Sequence, residues 1–294
     1  MSYLIAKDFN KQIQSDNLNQ VIGGDTTILY AAELTAFEEA KSYLVQKYDT
    51  SSEFQDLNVW ASSSVYNPRN RVYLNPPVYN ASNTYALGVY VLNATQVYKC
   101  STTITVPEAF NSAHWLLVGS QYDIYNAVYP QPLFSYSTQY AVGDKVYWNG
   151  KVYTCLIATQ PLSQSSALQY YQYQNLPYSN VVPDDVNQGL QYWGSGTAYT
   201  VPANTDILNT TYWAYGDNRS QQMVTTVVDI TLYHLHSRIS PRNIPDLRVK
   251  RYDESIKWLI KCAKGEVTPN LPVLQPTQGG RVRYGGNIKQ INSY

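Results

Sequence analysis

Apolar residues recur at steps of three and four near both ends of the chain, and in short alternating runs between them. Behind the Gly23-Gly24-Asp25 break, Tyr30, Leu34, Phe37, Ala40, Leu44 and Tyr48 form one stripe, which predicts a helix capped by Asp25. A second helix is predicted over 221–238, where Val224, Val227, Val228, Thr231 and Leu235 share a side and Pro241 follows as a stop. Its apolar face is broad, as expected of the central, most buried helix. A third opens near Pro245, carries Val249, Tyr252, Ile256, Leu259 and Ala263, and stops at Gly265, with Pro269 and Pro272 beyond. A shorter helix over about 7–14 would turn Phe9 and Ile13 inward.

Between residues 55 and 219 charge thins out, and Tyr, Val, Asn, Ser, Thr and Pro alternate in short runs bounded by turn residues, which predicts β structure. This region repeats itself. Tyr85-Ala86-x-Gly88 with Val97-Tyr98-x-Cys100 returns as Tyr140-Ala141-x-Gly143 with Val152-Tyr153-x-Cys155, at a constant offset of 55. Seven of the sixteen aligned positions are identical, which makes two related β modules the natural reading, at about 80–120 and 134–195. In the second, Val146-Tyr147-Trp148 and Lys151-Val152-Tyr153 flank Asn149-Gly150, a pair suited to the positive φ angles of a tight hairpin turn. The modules are expected to close on Trp115 and on Trp193, with Trp213 closing a degenerate third unit at 196–219.

The fold class that follows is α+β and multidomain. Residues 1–54 and 220–268 make a small helical bundle, residues 55–219 are an inserted all-β region, and 269–294, rich in Pro and Gly, form an extended arm ordered against a neighbour. If the insertion is independent, its two ends leave the helical unit close together.

Composition narrows the function. Lys plus Arg and Asp plus Glu both number 21, so overall charge points neither to nucleic acid nor to an anionic membrane. Charged residues are only 14% while Tyr numbers 29, so the surface must be polar through Tyr and uncharged side chains, which suits contact with other proteins or with sugars. Three cysteines, none in a Cys-x-x-Cys pair, suggest a reducing compartment, and no apolar run has the length of a signal or a membrane span; synthesis and assembly in a cytoplasm are expected.

The end segments resemble a family of small helical proteins of Mu-like phages and related prophages, placed among head-tail connector or head-completion proteins. The likeness rests on Ala31-Ala32-Glu33-Leu34, Glu39-Ala40-Lys41-Ser42-Tyr43-Leu44, Lys47-Tyr48-Asp49, and Asp229-Ile230-x-Leu232-Tyr233-His234-Leu235-His236-Ser237-Arg238-Ile239. It continues through Pro241-Arg242-Asn243-Ile244-Pro245, Arg251-Tyr252-Asp253 and Trp258-Leu259. The resemblance implies a virion structural protein at the neck. Its expected partners are copies of itself in a ring, dodecameric, the portal protein, further neck or tail proteins, and genomic DNA in passing. The second β unit, YAVGDKVYWNGKVYTC, resembles chitin-binding carbohydrate-binding modules. That resemblance implies host or capsid-surface glycans as partners, with Tyr147, Trp148, Tyr153 and Trp193 as a platform, and it supports the rival reading of a glycan-binding tail or baseplate protein. Core packing is the plainer role for the same aromatics.

Individual residues offer little catalytic chemistry. His234 and His236, two apart on a helix, point about 200° away from one another and cannot share a metal ion. Cys100 and Cys155 hold equivalent places in the modules, as packing residues would, and Cys262 lies on a helix. Glu38-Glu39 and Asp184-Asp185 are adjacent carboxylates facing different ways, expected in solvent. Neither an enzyme nor a cofactor is expected. Arg238, Arg242, Arg248, Lys250 and Arg251 form one basic concentration, read either as a solvated rim paired with Asp246, Asp253 and Glu254 or as a contact with a neighbouring subunit, the portal or DNA. Arg281, Arg283 and Tyr284 are the expected contacts of the arm.

Overall fold

The computed structural model describes residues 2–135, 138–159, 182–186, 189–239 and 244–274. Its helices are α1 (Ala6–Phe9), α2 (Ser15–Ile22), α3 (Thr26–Leu44), α4 (Thr50–Glu53), α5 (Gly189–Tyr192), α6 (Gln221–Ile239) and α7 (Asp246–Lys264). Asp25 caps α3 by accepting from the Thr27 N–H at 2.8 Å, which satisfies one of the first turn's free donors. Gly23 at φ 60 and Gly265 at φ 80 end α2 and α7 in the left-handed region, where a side chain would strain the backbone.

α6 is the centre of the helical core. Met223, Val224, Val227, Val228, Ile230, Leu232 and Leu235 are all fully buried, and Thr226, Asp229 and Thr231 are buried with them, because this helix is surrounded on most sides. α3 packs on it through Ala32, Ala36, Ala40 and Leu44. The stripe expected on α3 is therefore wrong over its first two turns, since Tyr30 and Leu34 are exposed. Alanine gives a flat face that lets two helices approach closely, and that packing outweighs the larger apolar area of Tyr30 and Leu34. On α7 the inner positions are Ser255, Leu259 and Cys262, with Tyr252 and Ile256 half-buried, while Ala263 is exposed. The helix expected over 7–14 stops at Phe9, the chain turns, and α2 follows; Phe9 is buried and Ile13 half-buried as expected.

The segment expected to be an arm ordered against a neighbour starts by folding back on its own helical unit. Leu271 joins the helical core, the Asp49 N–H donates to the Pro272 carbonyl at 2.8 Å, and the Leu274 N–H donates to the Lys47 carbonyl at 3.1 Å. Buried apolar contact and paired backbone hold this stretch in place without a neighbour. Arg281, Arg283 and Tyr284 lie outside the described residues.

Strands along the β region are β1 (Leu57–Val59), β2 (Arg71–Tyr73), β3 (Tyr90–Asn93), β4 (Gln96–Cys100), β5 (Trp115–Ser120), β6 (Ile124–Ala127), β7 (Lys145–Trp148), β8 (Lys151–Thr154), β9 (Thr197–Ala198) and β10 (Trp213–Tyr215). They form three sheets: β1-β2-β6-β10, β3-β4-β5 and β7-β8-β9. The first is a base from which the modules spring, one between β2 and β6 and the other between β6 and β10. Nothing in the alternation pattern announced this base, because its strands are three or four residues long and far apart in sequence. Trp213, expected to close a third unit, pairs with Ala127 in the base sheet and packs edge-on against Tyr66 at 5.2 Å, while Thr197 and Ala198 complete the second module.

The repeat is structural as well as sequential. Tyr85 bridges Ile104 as Tyr140 bridges Thr159. Gly88 donates to the Cys100 carbonyl and Gly143 to that of Cys155, both at 2.8 Å. The Tyr85 hydroxyl accepts from the Asn80 N–H and the Tyr140 hydroxyl from that of Ser135, both at 2.7 Å. Trp115 stands edge-on to Tyr85 and Trp193 edge-on to Tyr140, in each case with ring centroids 5.2 Å apart. Asn149 and Gly150 take φ 45 and 82, the two positive values that the predicted hairpin turn requires.

A buried polar seam joins the base sheet to the helices. Glu53 of α4 receives the Tyr3 hydroxyl at 2.8 Å, the Ser220 N–H at 3.1 Å and the Arg71 guanidinium at 3.3 Å. Arg219 donates to the Asp8 carboxylate at 2.8 and 3.1 Å, to the Asp217 carboxylate at 2.7 and 2.9 Å, and to the Tyr3 carbonyl at 2.7 Å. Beside the seam, Ile5, Leu57 and Ile124 form a small apolar cluster shared by helical unit and sheet. The bond from Ser220 to Glu53 closes the two ends of residues 55–219 against each other, but the seam also anchors that region through charges that cannot be exposed cheaply.

Candidate functional site

The basic concentration at the C-terminal helices splits when folded. Arg238 and Lys250 are exposed, and Arg242 lies outside the described residues. Arg248 and Arg251 lean inward: Arg248 donates to the Gln12 carbonyl at 3.1 Å, and an Arg251 nitrogen stands 3.8 Å from the Asp229 carboxylate. For these two the solvated-rim reading fails, because α7 turns them toward α6 and the α1–α2 connection. Asp229 is buried, and burial pushes its carboxyl above the ordinary range despite the pull of Arg251 and Arg248. Among the described residues, Asp229 Oδ1, Gln12 Oε1 and one terminal nitrogen of each arginine make no hydrogen bond.

Next to this cluster, Glu39 ties three helices together. It accepts from the Tyr252 hydroxyl at 2.6 Å and lies 2.8 Å from His234 Nε2, so it is not the solvated carboxylate expected. Tyr233 stacks on Tyr252 with centroids 4.1 Å apart. His236 faces Arg248, and burial together with that charge lowers its pKa below 6.5. A base whose folded pKa is depressed contributes stability present above the unfolded value and lost as pH falls through the folded one. Asp229 has the opposite sign: stability present below its ordinary value of 3.8 fades as pH rises through the raised one. His236→Asn is therefore expected to lessen the fall in melting temperature between about pH 7 and pH 5, which thermal scans across that range measure.

Three of the four residues in the glycan platform suggested by resemblance are turned away from solvent. Tyr153 is buried and Trp193 fully buried, because the module is so small that its aromatics are its core, and Tyr147 is buried beside Tyr129. Trp148 is half-buried, with its indole N–H donating to Asp184 at 2.7 Å, and Asn149 donates to the same carboxylate at 3.0 Å. The three cysteines are buried and free. The Cys100 and Cys155 thiols donate to the Thr102 and Ile157 carbonyls at 3.0 and 3.2 Å, which fits a packing role. Burial raises the Cys155 and Cys262 thiols, so neither is a ready nucleophile. Among the described residues no three His, Cys, Asp or Glu side chains are grouped to hold a metal, and no helix is long and apolar enough to cross a membrane.

Sequence reading missed a cleft of about 650 Å³ between the base sheet and the first module. Leu74 and Trp60 come from the sheet side, Leu87, Tyr90 and Lys99 from the module, and Asp206 from the segment before β10. The Tyr90 hydroxyl donates to Asp206 at 2.6 Å, Lys99 forms an ion pair with the same carboxylate, and Trp60 stands edge-on to Tyr90 at 4.7 Å. Burial acts to raise Asp206, but the bonds from Lys99 and Tyr90 outweigh it and hold the carboxyl below its ordinary range. No local spacing could have revealed a site assembled from positions so far apart in the chain.

Residues 217–283 match the family described as Bacteriophage Mu, Gp36. The match supports a Mu-like phage protein of structural or morphogenetic kind. It takes in α6 and α7, the middle of the helical core, and spans less than a quarter of the chain. No curated protein matches the chain.

Proposed function

We propose that this chain is a virion structural subunit without catalytic activity, one copy in a ring that joins the portal to the tail. The carrying observation is the coincidence of the Gp36 match with the helical unit: the matched segment supplies the buried centre of a core that the other chain end completes. Exposed Arg238 and Lys250 on that unit offer charge to a neighbouring subunit, the portal or passing DNA. Beyond Leu274 the sequence holds Arg281, Arg283 and Lys289 and no Asp or Glu, a composition suited to an acidic groove on the next subunit. The rival glycan-binding tail reading loses its platform to burial of Tyr147, Tyr153 and Trp193.

Deleting residues 275–294 is expected to leave the melting temperature unchanged, since Leu271 and the pairing of Leu274 with Lys47 are kept, while abolishing incorporation into particles. Thermal scanning and immunoblots of purified particles read the two effects. Normal incorporation would overturn the role of the arm, and a virion density map placing this chain away from the neck would overturn the ring.

A further inference from the structure

We infer that the cleft between the base sheet and the first module binds a neutral oligosaccharide. This rests neither on the neck reading nor on the buried aromatics of the second module. At about 650 Å³ the cleft falls within the size range of small-molecule sites. Its walls are of two kinds. Leu74 forms a buried apolar floor, the Trp60 and Tyr90 rings an aromatic side, and Leu87 an exposed apolar rim. At one end stand a carboxylate, an ammonium and a phenol, from Asp206, Lys99 and Tyr90.

Charge and exposure together select the ligand. The Lys99 and Asp206 side chains keep 26% and 33% of their surface, so a ligand in the cleft can reach them. Their charges cancel, which leaves no attraction for a phosphate or nucleotide. A wholly apolar ligand would strip water from both and give back no hydrogen bond. A pyranose has what the walls lack: a C–H face for the aromatic and leucine surfaces, and a hydroxyl edge that donates to Asp206 while accepting from Lys99.

The test titrates the full chain with maltotriose, cellotriose and the N-acetylglucosamine trimer, each to about 20 mM, and follows the Trp60 indole N–H resonance, assigned with Trp60→Phe. At least one sugar is expected to shift that resonance saturably. Leu87→Ala, which removes apolar surface at an exposed rim position, is expected to weaken binding with an unchanged melting temperature, and Asp206→Asn to weaken it at least tenfold. Absence of a saturable shift with all three sugars overturns the proposal. So does undiminished affinity in Asp206→Asn, which would put the sugar elsewhere, and so does saturable binding of inorganic phosphate with the same resonance shifted.

Discussion

Arg71→Met lowers the stability of the whole chain by about 3–5 kcal/mol, and the helical and β signals are lost together. Methionine keeps much of the aliphatic volume of arginine and removes every donor. Glu53 then keeps its bonds from Tyr3 and Ser220 but loses the cation in contact with it, in a place where its side chain has only 4% of its surface exposed. A carboxylate so placed, with its contacting cation gone, must draw in water or loosen its surroundings, and both routes cost stability. The exposed Lys41–Glu38 pair, 3.8 Å apart, is a fair contrast: removing it should change almost nothing. Far-UV circular dichroism against temperature decides the matter. An unchanged melting curve for Arg71→Met would mean that residues 55–219 are attached without being anchored. Adding Glu53→Gln to Arg71→Met should recover part of the loss, because the uncompensated charge is gone.

Trp193→Ala costs about 3–5 kcal/mol locally and melts the second module while the helices persist. Trp193 is fully buried, with Tyr140 and Phe134 edge-on at 5.2 and 5.6 Å and Cys155 bridged to its backbone. In so small a cluster no neighbour can move in to fill the space left by an indole. Loss of near-ultraviolet dichroism and faster proteolysis within 134–195, with an unchanged helical transition, are the expected readings. Trp115→Ala should do the same to the first module, since the indole stands against Tyr85 as Trp193 does against Tyr140. A Trp193→Ala protein with native proteolytic resistance would return that residue to the surface.

Features that depend on neighbours in sequence were legible: the caps at Asp25 and Gly265, the long helices around α6 and α7, the Asn149-Gly150 turn and the repeat at a constant offset. What depends on the choice between competing faces was not. Tyr30 and Leu34 are larger than Ala32 and Ala36, so a stripe drawn by hydrophobicity selects them, whereas close approach to α6 selects the alanines. The base sheet and the cleft escaped for a different reason: Arg71, Asn126 and Trp213, or Trp60, Lys99 and Asp206, meet only after the chain has closed loops of many tens of residues. An aromatic run such as Tyr147-Trp148 reads more readily as core than as platform, and burial of Tyr147 agrees with that reading.

The placement of α6 sets the order in which the molecule can be made. α3 emerges from the ribosome with its alanine face uncovered, and the helix that covers it lies beyond the whole of residues 55–219. At translation speeds of 5–20 residues per second, that gap lasts roughly 10 to 30 s. During it each β module has its local strands in hand and is free to form, while the first three helices wait for their partner. A nascent chain halted just before residue 221 would thus carry folded modules above an exposed, adhesive amino-terminal segment, which is the point in synthesis where a chaperone has most to protect.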